Sequence, residues 1–138
     1  MSCEDADVPE RLIERIGQSF GRDLDAWLAC FEPPFAFVTP EATVVAENED
    51  AARRRFRRAF EALQAAGFES SAADHVSVSY IGDDMALVDA AFTRRHRDGS
   101  PMGRMAALYV CRRRDEHWRI AAVVQHSPDR PVLSSPQS

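Results

Sequence analysis

From about Ala73 to Gln125 the chain reads as three or four long β-strands in a meander, and this stretch constrains the fold most. His75 to Ile81 alternates strictly, and Gly82-Asp83-Asp84 makes a tight turn. Met85 to His96 is a long strand, Asp98-Gly99-Ser100-Pro101 turns again, and Met105 to Arg112 follows. Asp115-Glu116 leads into a last strand from Trp118 to Gln125. The half that precedes this meander is helical. Helices first and an antiparallel sheet second make an α+β domain.

In the first half, Asp7 before Pro9 is a helix-start signal, because proline in the first turn lacks an N–H that would be unpaired anyway. Leu12, Ile13, Ile16, Phe20, Leu24, Trp27, Leu28 and Phe31 recur at three- and four-residue steps and form one apolar stripe. Gly21 is expected to break or bend this helix, Asp23 to cap its second piece, and Pro33-Pro34 to end it. Phe35 to Val38 reads as a short strand closed by Thr39-Pro40, with Ala42 to Ala46 as its hairpin partner. Asn48 caps a third helix with Glu49 and Asp50 in its first turn. Ala52, Phe56, Phe60 and Leu63 form its buried stripe, and Gly67 ends it.

At 138 residues the chain suits one domain, placed at residues 7–126. The tail from Ser127 to Ser138, with three prolines and four serines, is expected to be flexible and poorly packed. All 17 basic residues are arginine, which removes Schiff-base, pyridoxal-phosphate and phosphate-loop lysine chemistry. Cys3, Cys30 and Cys111 are an odd, scattered set, so a disulfide framework or cysteine zinc site is not expected. His75, His96, His117 and His126 offer no helical i, i+4 pair, and no metal or other cofactor is expected. The net charge of −5 argues against a nucleic-acid partner, and the arginines of Arg53 to Arg58 read as a solvated helix face. No apolar run is long enough for a membrane span, and the acidic start lacks the features of a secretory leader; the expected compartment is the cytoplasm.

A hairpin turn at Gly99-Ser100 sets Val88, Ala90, Phe92, Arg94 and His96 on one face with Met105, Ala107, Tyr109 and Cys111. That face is bulky and apolar with a few polar groups, as a ligand cavity requires. Arg94 and Tyr109 there suit a ligand carboxylate or carbonyl, or else a rim ion pair and a core tyrosine. Asp89, on the other face, is either a general base or a carboxylate turned toward solvent or a partner subunit and paired with an arginine. Which face receives Trp118, Ile120, Ala122, Val124 and His126 is open, since one residue of slip moves them all. Ile120 to Val124 is apolar on both parities, so its outer side needs a cover.

The order of elements resembles the nuclear transport factor 2-like superfamily, and within it SnoaL-like domains. The likeness rests on Asp25-Ala-Trp-Leu-Ala-Cys-Phe, Phe35-Ala-Phe-Val-Thr-Pro, Asp50-Ala-Ala-Arg-Arg-Arg-Phe, Gly82-Asp-Asp-Met-Ala-Leu-Val, Arg97-Asp-Gly and His117-Trp-Arg-Ile. It implies a cone-shaped, curved antiparallel sheet wrapped around the N-terminal helices, and a homodimer packed through the outer sheet face. In the isomerases of that superfamily a catalytic aspartate follows the first strand. Thr39 takes that place here and cannot act as a carboxylate base, which argues against steroid-isomerase chemistry.

The expected occupant of the cone is a small, largely apolar organic molecule, bordered by Trp27, Phe37, Thr39, Phe60, Phe92, Arg94 and Tyr109. Two functions stay open. One is proton-transfer chemistry of the isomerase, cyclase or dehydratase kind, with His126 and Asp89 as acid–base candidates. The other is a non-catalytic binding or accessory module whose cone is only a packed core.

Overall fold

The computed structural model describes residues 8–133. Its first helix, α1 (Pro9–Ser19), opens with Pro9 in the first turn after an extended Val8 that makes no side-chain cap. Asp7, the expected cap, lies outside the described residues. Gly21, at a φ of +73°, turns the chain into α2 (Leu24–Leu28), which Asp23 caps by accepting from the Ala26 N–H at 3.1 Å.

The helix stops at Leu28, before the two prolines, and Pro33 and Pro34 sit inside the first strand, β1 (Phe31–Val38). The strand tolerates them because its pairing is interrupted there: its partners resume only at Phe35 on one side and Ala36 on the other. The hairpin with β2 (Thr43–Ala46) is as the sequence suggested, and so is α3 (Glu49–Ala65), capped by Asn48 accepting from the Ala51 N–H at 2.8 Å.

Then come β3 (Phe68–Ile81), β4 (Met85–His96), β5 (Pro101–Arg114) and β6 (His117–His126). The strands form one curved, unclosed six-stranded sheet in the order β2-β1-β6-β5-β4-β3. One pair departs from the expected wholly antiparallel arrangement: β1 runs parallel to β6. These two are the ends of the strand sequence brought together by the whole intervening chain, the kind of long connection a parallel pair needs.

α1 lies across the concave side on β3 and β4, α2 packs beside it, and α3 packs against α2. The core between helices and sheet joins Leu12, Ile13, Ile16, Trp27, Phe31, Phe60, Val88, Ala90, Phe92, Tyr109, Trp118 and Ile120. Gly17 lets α1 settle close, since a Cβ there would stand 3.1 Å from the Phe92 ring and 3.2 Å from the Ser71 carbonyl. No helix among the described residues is long and apolar enough to cross a membrane. Cys111 is a buried free thiol and Cys30 is buried; Cys3 lies outside the described residues.

Candidate ligand cavity in the cone

The β4–β5 hairpin decides which side chains look into the cone. A turn centred on Gly99-Ser100 would set Phe92 opposite Ala107; Phe92 instead faces Met105, and Val88 faces Tyr109. The shift is an even one, so the faces survive it, and Phe92 and Tyr109 both turn inward, each 3% exposed.

The last strand is split. The Asp115-Glu116 loop has only two residues, both with positive φ, as a two-residue hairpin turn demands. It sets Trp118 and Ile120 inward, with Ile120 opposite Cys111. Ala121 is then an extra residue in the ladder, so Ala122 pairs with Val110 and Val123 with Tyr109. Val123 and Gln125 therefore turn inward beyond the bulge, and Ala122, Val124 and His126 turn outward. No single parity describes this strand.

Between α1, α3 and the sheet lies a cavity of about 150 Å³. Of the seven residues expected at the ligand, Trp27, Phe37, Phe60, Phe92, Arg94 and Tyr109 line it. Thr39 does not. Its hydroxyl oxygen accepts from the N–H groups of Glu41 and Ala42 and closes the β1–β2 turn, at a separate shallow hollow beside Val44 and Arg55. The aromatic rings support one another: Trp27 lies 5.0 Å from Phe56 and 5.4 Å from Phe60, and Phe20 lies 5.7 Å from Phe60, centroid to centroid.

Two polar groups in this wall lack partners. The Arg94 Nε–H and the Trp27 Nε1–H are buried and make no hydrogen bond. The Arg94 guanidinium stacks over the Phe20 ring at 4.6 Å, and no carboxylate among the described residues pairs with it. Burial pulls its pKa down, and Tyr109 beside it pushes weakly the other way. Burial also drives the Tyr109 phenol far above its ordinary value, so the hydroxyl stays protonated.

Sequence reasoning missed Ser71 and Gln125 in the wall. Ser71 precedes the alternating stretch from which β3 was read, and the face of Gln125 depends on the bulge at Ala121. Phe20 and Phe56 were legible as apolar stripe positions, though as core rather than cavity.

Asp89 and His126 are together, but on the outer face, away from the cavity. Asp89 is 1% exposed. It pairs with no arginine: one oxygen meets His126 Nε2 at 2.6 Å, and the other accepts from the Val132 and Leu133 N–H groups at 2.7 and 3.0 Å. His75 Nε2 stands 3.8 Å away. The chain after β6 thus returns to the sheet, with its Val132 and Leu133 N–H groups on Asp89; residues 134–138 lie outside the description.

A family model described as NTF2-like protein (DUF6841) matches residues 10–128. Solved structures share the fold at low identity. A protein of unknown function with a cystatin-like fold from Nostoc punctiforme is 18% identical, with a TM-score of 0.67 over 90% of this chain and 92% of that one. An NTF2-like protein with a cystatin-like fold from Novosphingobium aromaticivorans is 19% identical, with a TM-score of 0.68 over 86% and 79%. A candidate ketosteroid isomerase from Shewanella frigidimarina is 10% identical, with a TM-score of 0.68 over 88% and 96%. At these identities the likeness concerns the fold alone. No curated protein matches the chain.

Proposed function

This chain belongs to the NTF2-like family, and on that scaffold we propose that it binds a small, largely apolar organic molecule of single-ring size in the cone. The observation that carries this reading is the cavity itself. Protein interiors rarely keep voids larger than a water molecule. The hollow of about 150 Å³ opens to solvent beside the exposed Gln125, so a ligand can reach its aromatic wall. A fold whose cone were merely core would have filled it, and Met105 and Phe56 on its wall are residues able to do so.

Size and lining narrow the role. A cavity of this volume takes a benzene-sized molecule and is far too small for four fused rings. Among the described residues no carboxylate or histidine lines it, so it positions no ordinary general base for proton abstraction. Binding is favoured over isomerase, cyclase or dehydratase chemistry.

The test is calorimetry and thermal melting with toluene, other single-ring compounds and a steroid. Saturable binding of the single-ring compounds, with no effect of the steroid, is expected. Equal binding of the steroid, or no binding of any compound, contradicts the proposal.

The outer face supports a second element of the reading, a homodimer packed sheet to sheet. Leu87, Leu108, Val110, Ala122 and Val124 form an apolar, half-exposed row there, and no helix among the described residues lies above them. Sedimentation analysis is expected to give a dimer that Leu108→Arg converts to monomer; a monomeric parent protein contradicts it.

A further inference from the structure

The wall of the cavity is rich in donors and poor in charge balance, and this specifies its ligand more closely. Arg94 is half-buried on β4 with its guanidinium over the Phe20 ring. Arg53, Arg112, Arg113 and Arg114 each have a carboxylate within 4 Å, whereas none among the described residues pairs with Arg94. Removing a guanidinium from water without a counter-charge is costly, and stacking on one ring recovers only part of that cost. The buried Nε–H has no acceptor.

The neighbours supply no counter-charge. Trp27 Nε1 is a donor only, and it too is buried without a partner. Tyr109 keeps its proton, and Phe20, Phe37, Phe56, Phe60 and Phe92 offer rings alone. Ser71 and Gln125 are neutral. The site thus presents two unmet N–H donors and one uncompensated positive charge around a space the size of one ring.

We propose that the natural ligand is a single-ring aromatic carboxylate, its ring enclosed by Trp27, Phe60 and Phe92 and its carboxylate held by Arg94. This rests on the binding reading above and adds the charge of the ligand to it. A carboxylate meets a guanidinium along its Nε edge through two parallel hydrogen bonds, and that edge is the one left without a partner here. A neutral carbonyl compound would supply an acceptor but leave the charge uncompensated.

The experiment is isothermal titration of the full chain with benzoate, acetophenone and toluene, repeated on Arg94→Gln and Arg94→Lys. Benzoate is expected to bind about ten- to a hundredfold more tightly than either neutral probe, the range of a charged hydrogen-bonded contact. Arg94→Gln is expected to abolish that preference while keeping toluene binding, and Arg94→Lys to restore part of it. Equal affinity of the parent protein for benzoate and toluene overturns the carboxylate, and needs no variant to be read. Loss of toluene and benzoate binding together in Arg94→Gln, with an unchanged melting temperature, also overturns it. Failure of all three probes to bind the parent protein overturns the binding reading along with it.

Discussion

His126 Nε2 lies 2.6 Å from an Asp89 oxygen on the outer side of the sheet, so the two acid–base candidates of this chain are partners of each other and turned away from the cone. His126 Nδ1 meets the Ser127 carbonyl at 2.8 Å, so each ring nitrogen faces an oxygen. The second Asp89 oxygen holds two consecutive backbone N–H groups of the returning chain. The pair is a fastening for the segment after β6.

Asp89→Ala removes this anchor. It is expected to cost about 1–3 kcal/mol, since a half-buried histidine loses its partner and two amides lose their acceptor. Hydrogen exchange at Val132 and Leu133 should become fast while the amides of β4 and β5 stay protected. Unchanged protection at Val132 and Leu133 would falsify the anchoring role.

Glu32 on β1 ties that strand to β5 through Arg112 at 3.0 Å and Arg114 at 2.7 Å. Burial pushes its carboxyl up, but the hydrogen bonds and charges of Arg114 and Arg112 outweigh this and hold it below the usual range. A carboxyl lowered on folding contributes stability that is complete above its unfolded value of about 4 and is lost as pH falls through the folded value. The side chain is partly exposed, so the effect is at most about 1 kcal/mol. Glu32→Gln should melt slightly lower than the parent near neutral pH, and the two curves should converge in acid. A gap that widens in acid contradicts the assignment.

Cys111 is fully buried on the inner face of β5, and burial pushes its thiol up to about 12. Only a thiolate alkylates readily. Peptide mapping after iodoacetamide treatment should find Cys111 unmodified in the folded protein and modified once the protein is denatured. Rapid labelling of the folded protein would place the residue elsewhere.

Gly21 combines a left-handed backbone with close packing: a Cβ there would fall 2.6 Å from the Phe68 ring. Gly82 has a positive φ too, but nothing stands within 4 Å of its Cβ position. Gly21→Ala should therefore destabilise by about 2–4 kcal/mol, with Gly82→Ala costing about 1 kcal/mol. Equal losses in urea unfolding would mean that Phe68 does not press on the turn.

How far the sequence could be read follows from which signals are local. The caps at Asp23 and Asn48, the turn at Gly82 and the bounds of β4 rest on short-range chemistry, and these are found where the residues put them. The inward face of β4 and β5 survived a misjudged turn because the error was even. Three things were not legible. Pro33 and Pro34 fit β1 only because its ladder is interrupted there. The bulge at Ala121 carries no residue that announces it. The burial of Asp89 depends on a tail whose composition, serine and proline, suggests no packing. Each is a tertiary contact imposed on a sequence with no local preference for it.

The site can be located by solution NMR of the full chain titrated with benzoate. Saturable shifts of the Met105 methyl and the Trp27 indole N–H, both on the cavity wall, are expected, with the His126 ring unmoved on the other side of the sheet. Shifts centred on His126 and the Val132 and Leu133 amides, with Met105 and Trp27 silent, would put the binding site on the outer face and contradict the account.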